Sequence, residues 1–320
     1  MFDVFGSVKG LLKLDSVCID NNIFRLHYKA TVVFLVISSL LVTSRQYIGD
    51  PIDCIVEGIP PNVMDTYCWI HSTFSVPNRW VGELGTDVPH PGVGVPYPEE
   101  EIKYHKYYQW MCFFLFFQAI LFYVPRYLWK TWEGGKVKML VMDLNCPIVD
   151  EGTKCDRKKL LVDYFTANLH QQNFYAFRFF ICEVINFINV IGQIYFMDFF
   201  LGGEFTTYGA DVVKFTEMEP EDRPDPMAKV FIWFWFIILA VLSALAVLYR
   251  FGTVFSGAVR LYLLRARSRL ANPDDVETIN RKCQIGDWFV LYQIGKNMDP
   301  LIFKDFLRDL ARRLEGKDTV

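Results

Sequence analysis

Between Lys229 and Arg250 the chain reads VFIWFWFIILAVLSALAVLY, Val230 to Tyr249, twenty residues without a charge. A helix of about 20 apolar residues crosses roughly 30 Å of hydrocarbon, so this stretch predicts a transmembrane helix. Three further stretches follow the same logic. They are Ala30 to Ser44 between Lys29 and Arg45, Tyr107 to Pro125 between Lys106 and Arg126, and Phe179 to Met197 between Arg178 and Asp198, the last carrying one acid, Glu183. The first is the shortest, and spans by snorkelling its flanks. Four spans put both termini on one side.

Charge assigns that side. The N-terminal arm 1–29, the loop 126–178 and the tail 250–320 hold 26 of the 33 Lys and Arg, whereas the loops 45–106 and 198–229 hold 17 of the 36 carboxylates. The positive-inside rule then makes both termini cytoplasmic. The net charge of −3 averages two oppositely charged faces. Composition agrees: 52% hydrophobic, 17% aromatic, and a mean hydropathy of +0.19 describe a polytopic membrane protein. Met1 to Asn22 lacks a signal-peptide pattern, so the first span is expected to act as the signal anchor.

The expected fold is an all-α membrane protein, a four-transmembrane-helix bundle with a cytoplasmic helical domain and partly irregular extracellular loops. Its segments are an N-terminal pore helix and arm (1–29), spans at 30–44, 107–125, 179–197 and 230–249, outer loops at 45–106 and 198–229, an inner loop at 126–178 and a helical tail at 250–320. Phe5, Val8, Leu11 and Leu12 recur at helical spacing opposite Lys9 and Lys13. That amphipathic arm either lies on the inner leaflet or folds back into an aqueous pore. Thr31, Ser38, Ser39 and Thr43 on the first span either pack helices closely or face water, and with Arg45 just beyond make it the expected pore-facing helix. Span two is dense in aromatics suited to lipid contact, and Pro125 is expected to end or kink it. Glu183 and Asn186 are costly in lipid and should face protein or water. Asn272-Pro273 and Asp299-Pro300 pair an N-cap with proline at the first helical position, so helices should start there.

Catalysis finds no support: there is no nucleophile elbow, P-loop or HExxH, and Glu99-Glu100-Glu101 reads as a solvated acidic face. No cofactor or metal is expected, since Cys146 and Cys155 lack CxxC spacing and a nearby His. The basic patches Arg157-Lys158-Lys159 and Arg265 to Arg269 suit anionic membrane lipid, with no nucleic acid implied. Cys54 and Cys68 fall outside, where disulfides persist.

Tyr107-Tyr108-Gln109-Trp110 at the start of span two, followed by Pro125, resembles the invertebrate innexins, whose second span opens with YYQW. Ser44-Arg45-Gln46-Tyr47-Ile48-Gly49-Asp50-Pro51-Ile52-Asp53-Cys54 is similar to that family's first extracellular loop, and Cys54 and Cys68 match its loop cysteines. The similarity runs from Met1 to about residue 315. It implies a homo-oligomeric ring around a wide pore, docked to a hemichannel of the adjacent cell at a plasma-membrane gap junction, passing ions and small metabolites. It also implies that Met1, Phe2, Asp3 and Phe5 approach the pore constriction, with Ser38 and Arg45 as further pore-lining positions. The alternatives are an undocked plasma-membrane hemichannel and a non-conducting four-span adhesion or scaffold protein. One departure matters: the family's second outer loop carries two cysteines, but 198–229 has none and Pro226 to Phe231 runs straight into Ile232-Trp233-Phe234. Two pairings stay open. With the loop as short as this, Cys54 and Cys68 bond each other or another subunit; with a loop of family length, each bonds a cysteine of that loop.

Overall fold

The structure is a computed structural model that describes residues 17–49, 51–54, 58–79, 86, 92, 94–95, 97–98, 100–142, 144, 151–209 and 227–316. Met1, Phe2, Asp3 and Phe5, with the rest of the arm up to residue 16, lie outside the described residues, as do Cys146 and 210–226 of the second outer loop.

Among the described residues four helices are long and apolar enough to cross a membrane: α1 (Asn22–Ile48), α3 (Met111–Glu133), α6 (Asn173–Phe200) and α7 (Met227–Phe255). Each outlasts its uncharged stretch. The extra turns are mostly on the inner side, where polar groups find partners instead of lipid. In α1 the expected start at Ala30 gives way to Asn22, because Arg25, His27 and Tyr28 are held by other parts of the chain. The 15-residue first span is therefore a 27-residue helix. Its turn Leu26–Thr31 is π-helical, and the Thr31 hydroxyl donates to the Leu26 carbonyl five residues back at 2.9 Å.

Pro125 does not end the second span. It is buried inside α3, which continues to Glu133. The missing N–H costs one ladder bond, which the buried face tolerates because Phe122, Arg126 and Trp129 pack on either side. The aromatics of this helix divide by face. Phe114 and Phe122 are buried, while Trp110, Phe113, Phe116 and Phe117 are exposed.

Three hydroxyls of α1, those of Thr31, Ser39 and Thr43, are used within the bundle. Ser39 donates to the Cys112 carbonyl of α3 at 2.8 Å, the Trp235 indole of α7 donates to Thr31 at 3.0 Å, and Thr43 bonds back to the Ser39 carbonyl. Leu35, Leu115, Phe122, Val190, Phe236 and Leu239 fill the bundle core.

A second core lies on the side rich in Lys and Arg. It joins the inner ends of α3 and α6 to α4 (Lys136–Leu140), α5 (Glu151–Ala167), α8 (Gly257–Arg267), α9 (Pro273–Lys282), α10 (Ile285–Asn297) and α11 (Pro300–Leu314) through Trp129, Phe179, Trp288, Phe289 and Phe306. Both predicted proline starts occur: Asn272 accepts from Asp274 N, and Asp299 accepts from Leu301 N at 2.8 Å. Gln284 and Asp287 form a capping box at the start of α10, and Asp287 also accepts from the His170 N–H at the inner loop's end. On the opposite side, α2 (Pro61–His71) and the antiparallel pair β1 (Thr73–Ser75) and β2 (Lys103–His105) give the first outer loop its frame.

Candidate functional site

The N-terminal arm meets the membrane bundle at Val17–Asn21, and three elements grip this segment. Asp20 is 1% exposed. Its carboxylate takes Arg126 of α3 and Arg25 of α1, each at 2.9 Å, and the Tyr28 hydroxyl at 2.7 Å. The Arg126 guanidinium also lies 4.7 Å from the centre of the Tyr28 ring. The main chain is gripped as well. The Trp129 indole donates to the Ile19 carbonyl at 3.1 Å, Lys296 of α10 donates to the Asp20 carbonyl at 2.5 Å, and Asn297 donates to the Cys18 carbonyl at 2.8 Å. Asn297 also accepts from the Cys18 N–H, reading this backbone as a strand partner does. The arm's base is thereby fastened to a span and to the inner domain together.

The next residue continues the chain of contacts. Asn21 caps α1 and donates to Glu183 of α6 at 2.5 Å. Glu183 receives Arg250 of α7 through two bonds of 2.5 and 2.7 Å, and Arg250 sits against the rings of Phe180 and Phe289. Glu183 and Asn186 face protein, as their cost in lipid requires. At this level the four spans and the inner domain share one polar layer.

The outer end is built on the tetrad. Tyr107–Gln109 form a 3-10 turn ahead of α3. The Tyr108 hydroxyl donates to the Cys68 carbonyl at 2.8 Å, its ring lies 5.2 Å from Trp69, and Gln109 donates to the Trp69 carbonyl. Gln46 at the end of α1 donates to the Tyr108 carbonyl. Tyr108 and Gln109 thus moor α2, while Trp110 is exposed beside Phe113. Cys54 and Cys68 are free thiols that face each other, and the Cys54 thiol is pushed up to about 12, first by its hydrogen bond with Cys68 and then by burial. Ser38 is half-buried and Arg45 exposed, the latter on the face of α1 that also exposes Ile37, Leu41 and Ile48.

The innexin family model matches residues 20–231 and 228–314. The chain belongs to the innexin family. It is 64% identical to innexin inx2 of Schistocerca americana over 100% of both chains. It is 60% identical to innexin inx2 of Drosophila melanogaster over 99% of this chain and 97% of that one, and 43% identical to innexin shaking-B of the same species over 98% and 95%. Innexins are multi-pass plasma-membrane proteins of gap junctions, and this innexin is a channel-forming subunit. The alignment with the Schistocerca protein runs over 359 positions against the 320 residues here, so that relative has residues with no counterpart in this chain. The family match breaks at 228–231, the point where the second outer loop runs directly into span four.

The residues that grip Val17–Asn21 were not visible as a site in sequence. Arg126 and Arg250 read only as the first charges after apolar runs, and Lys296 meets Asp20, and Asn297 meets Cys18, across 276 and 279 positions of chain.

Proposed function

We propose that this innexin assembles as a ring of like subunits whose lumen conducts ions and small metabolites across the plasma membrane. The observation that carries this reading is the family match over the whole membrane bundle. The N-terminal arm, with Met1, Phe2, Asp3 and Phe5, enters the inner mouth, and α1 turns Ser38 and Arg45 toward the lumen. The grip on Val17–Asn21 supports this placement, because it fixes where the arm begins and leaves its direction to the preceding residues. In a wide wet lumen Asp3 attracts cations by Coulomb focusing. Asp3→Asn is expected to lower cation preference in reversal-potential measurements; an unchanged reversal potential with normal surface expression places Asp3 elsewhere.

Docking to an apposed ring is the further reading taken from the family. A second reading is an undocked hemichannel, because the outer loop 198–229 that would meet the partner cell carries no cysteine. Dye transfer between paired expressing cells separates the two: transfer requires docking, whereas uptake into single cells without transfer is the hemichannel result. The facing thiols of Cys54 and Cys68 support a bond within the first outer loop. Such a cross-link is typically worth about 2–4 kcal/mol. Non-reducing peptide mapping tests it, and peptides linking either cysteine to another segment contradict it.

A further inference from the structure

Four surface cations of the inner domain are neutralised by acids. Arg265 pairs with Glu277 at 3.0 Å, Lys158 with Asp309 at 2.8 Å, Arg313 with Asp163 at 3.2 Å, and Arg308 with Asp305 at 3.7 Å. One place departs from this pattern. Where the loop after α8 passes the first turn of α11, an open cavity of about 390 Å³ is lined by Arg267, Ser268, Arg269, Leu270, Pro300 and Lys304, with Ala266 and Ala271 at its edge. Three of these are cations and none is an acid.

The cations are poorly satisfied. Arg269 and Lys304 have no hydrogen-bond or ion-pair partner among the described residues. Arg267 uses only its Nε, which donates to the Gly295 carbonyl at 2.9 Å. That bond anchors the guanidinium to α10 and leaves its two terminal amino groups for a ligand. The Ser268 hydroxyl is spent on the Leu264 carbonyl at 2.7 Å, so it stiffens the end of α8 and recognition falls to the cations. Like charges gathered around a concavity repel one another in the empty state and stabilise an anion placed between them. A planar guanidinium with a fixed Nε and free terminal amines suits phosphate oxygens, which accept two parallel bonds. The volume is that of a small-ligand site. Leu270 in the lining is 54% exposed and gives a bound headgroup an apolar neighbour.

We propose that this cavity binds a polyphosphorylated ligand, the phosphates of an inositol lipid headgroup or of a free inositol polyphosphate, on Arg267, Arg269 and Lys304. The site rests on the assignment of 250–316 to the cytoplasmic side and is independent of whether the ring conducts. The test uses the purified full chain. Soluble inositol hexakisphosphate is titrated calorimetrically, and phosphatidylinositol bisphosphate is offered in detergent and counted by native mass spectrometry. Arg269→Ala with Lys304→Ala should weaken binding by about tenfold or more, since two charge-assisted contacts are lost, and raised salt should weaken it further. Arg265→Ala, which breaks a pair outside the cavity lining, should bind as the parent does. Binding of the lipid alone identifies a headgroup site, and binding of both identifies recognition of the phosphates themselves. The proposal is overturned if neither probe binds, or if the double variant binds as tightly as the parent. Dye flux through the same variants reports the channel separately, so failure of one reading does not imitate failure of the other.

Discussion

Replacing Asp20 by Asn removes the charge at the centre of the grip on Val17–Asn21 while keeping its shape and one acceptor for Tyr28. The side chains of Asp20 and Arg126 are 2% and 9% exposed, so the substitution strands a buried guanidinium. Removing one partner of a buried pair costs roughly 3–5 kcal/mol, and the retained acceptor puts Asp20→Asn near about 3. Arg25, with 30% of its side chain exposed, adds little, since solvent-screened pairs are worth about 0–1 kcal/mol. At roughly 2–4 °C per kcal/mol, the purified protein should unfold about 6–12 °C lower. Tryptophan fluorescence on heating reads the shift, and Arg25→Gln should move it far less. Combining Asp20→Asn with Arg126→Gln should cost less than the sum of the two, because the second change removes the stranded charge. A shift within about 1 °C for Asp20→Asn, or strict additivity of the pair, would refute the claim that this contact fastens the arm.

Gly286 lies so close to the start of α6 that an added Cβ would fall 2.2 Å from the Asn173 nitrogen. Gly286→Ala should therefore destabilise by about 1–3 kcal/mol through overpacking, seen as a lower unfolding temperature. The Cys283 thiol is pushed up to about 12, first by burial and then by Asp287, so at pH 8 it stays protonated and resists maleimide while exposed Cys155 reacts. The sign for stability follows: an unfolded thiol ionises near about 8.5, so the contribution of Cys283 is complete below that pH and is lost as pH rises toward 12. Mapping maleimide adducts of the folded protein checks the reactivity, and quantitative labelling of Cys283 at pH 8 contradicts the burial. Tyr108→Phe deletes the bond to the Cys68 carbonyl and should speed amide exchange in α2 without changing unit conductance. Trp110→Ala, at an exposed ring suited to the membrane interface, should reduce assembly or surface delivery more than unit conductance.

The four spans were legible because each apolar run is long, and the inner helices at Pro273 and Pro300 because capping chemistry is local. Where the spans end was less legible. A charge was read as a boundary, yet Arg126 and Arg250 lie inside helices because Asp20 and Glu183 neutralise them, and a proline was expected to end or kink its span, yet α3 runs on past Pro125 with packed residues on both sides. The inner polar layer is assembled from residues distant in sequence, and such pairings leave no local pattern. The outer tetrad was legible only as a family likeness; its mooring of α2 through Tyr108 and Gln109 is a tertiary fact. Ser39 and Thr31 illustrate the opposite case, small hydroxyls with two open readings of which the structure uses helix packing.

The central claim is that this innexin forms a large conducting pore, and single-channel recording of the purified protein in planar bilayers tests it most directly. A large unit conductance is expected, with passage of a small fluorescent dye through vesicles made from the same preparation. Intact, assembled protein that carries neither current nor dye across a range of lipids and pH would contradict it and return the chain to the non-conducting scaffold reading.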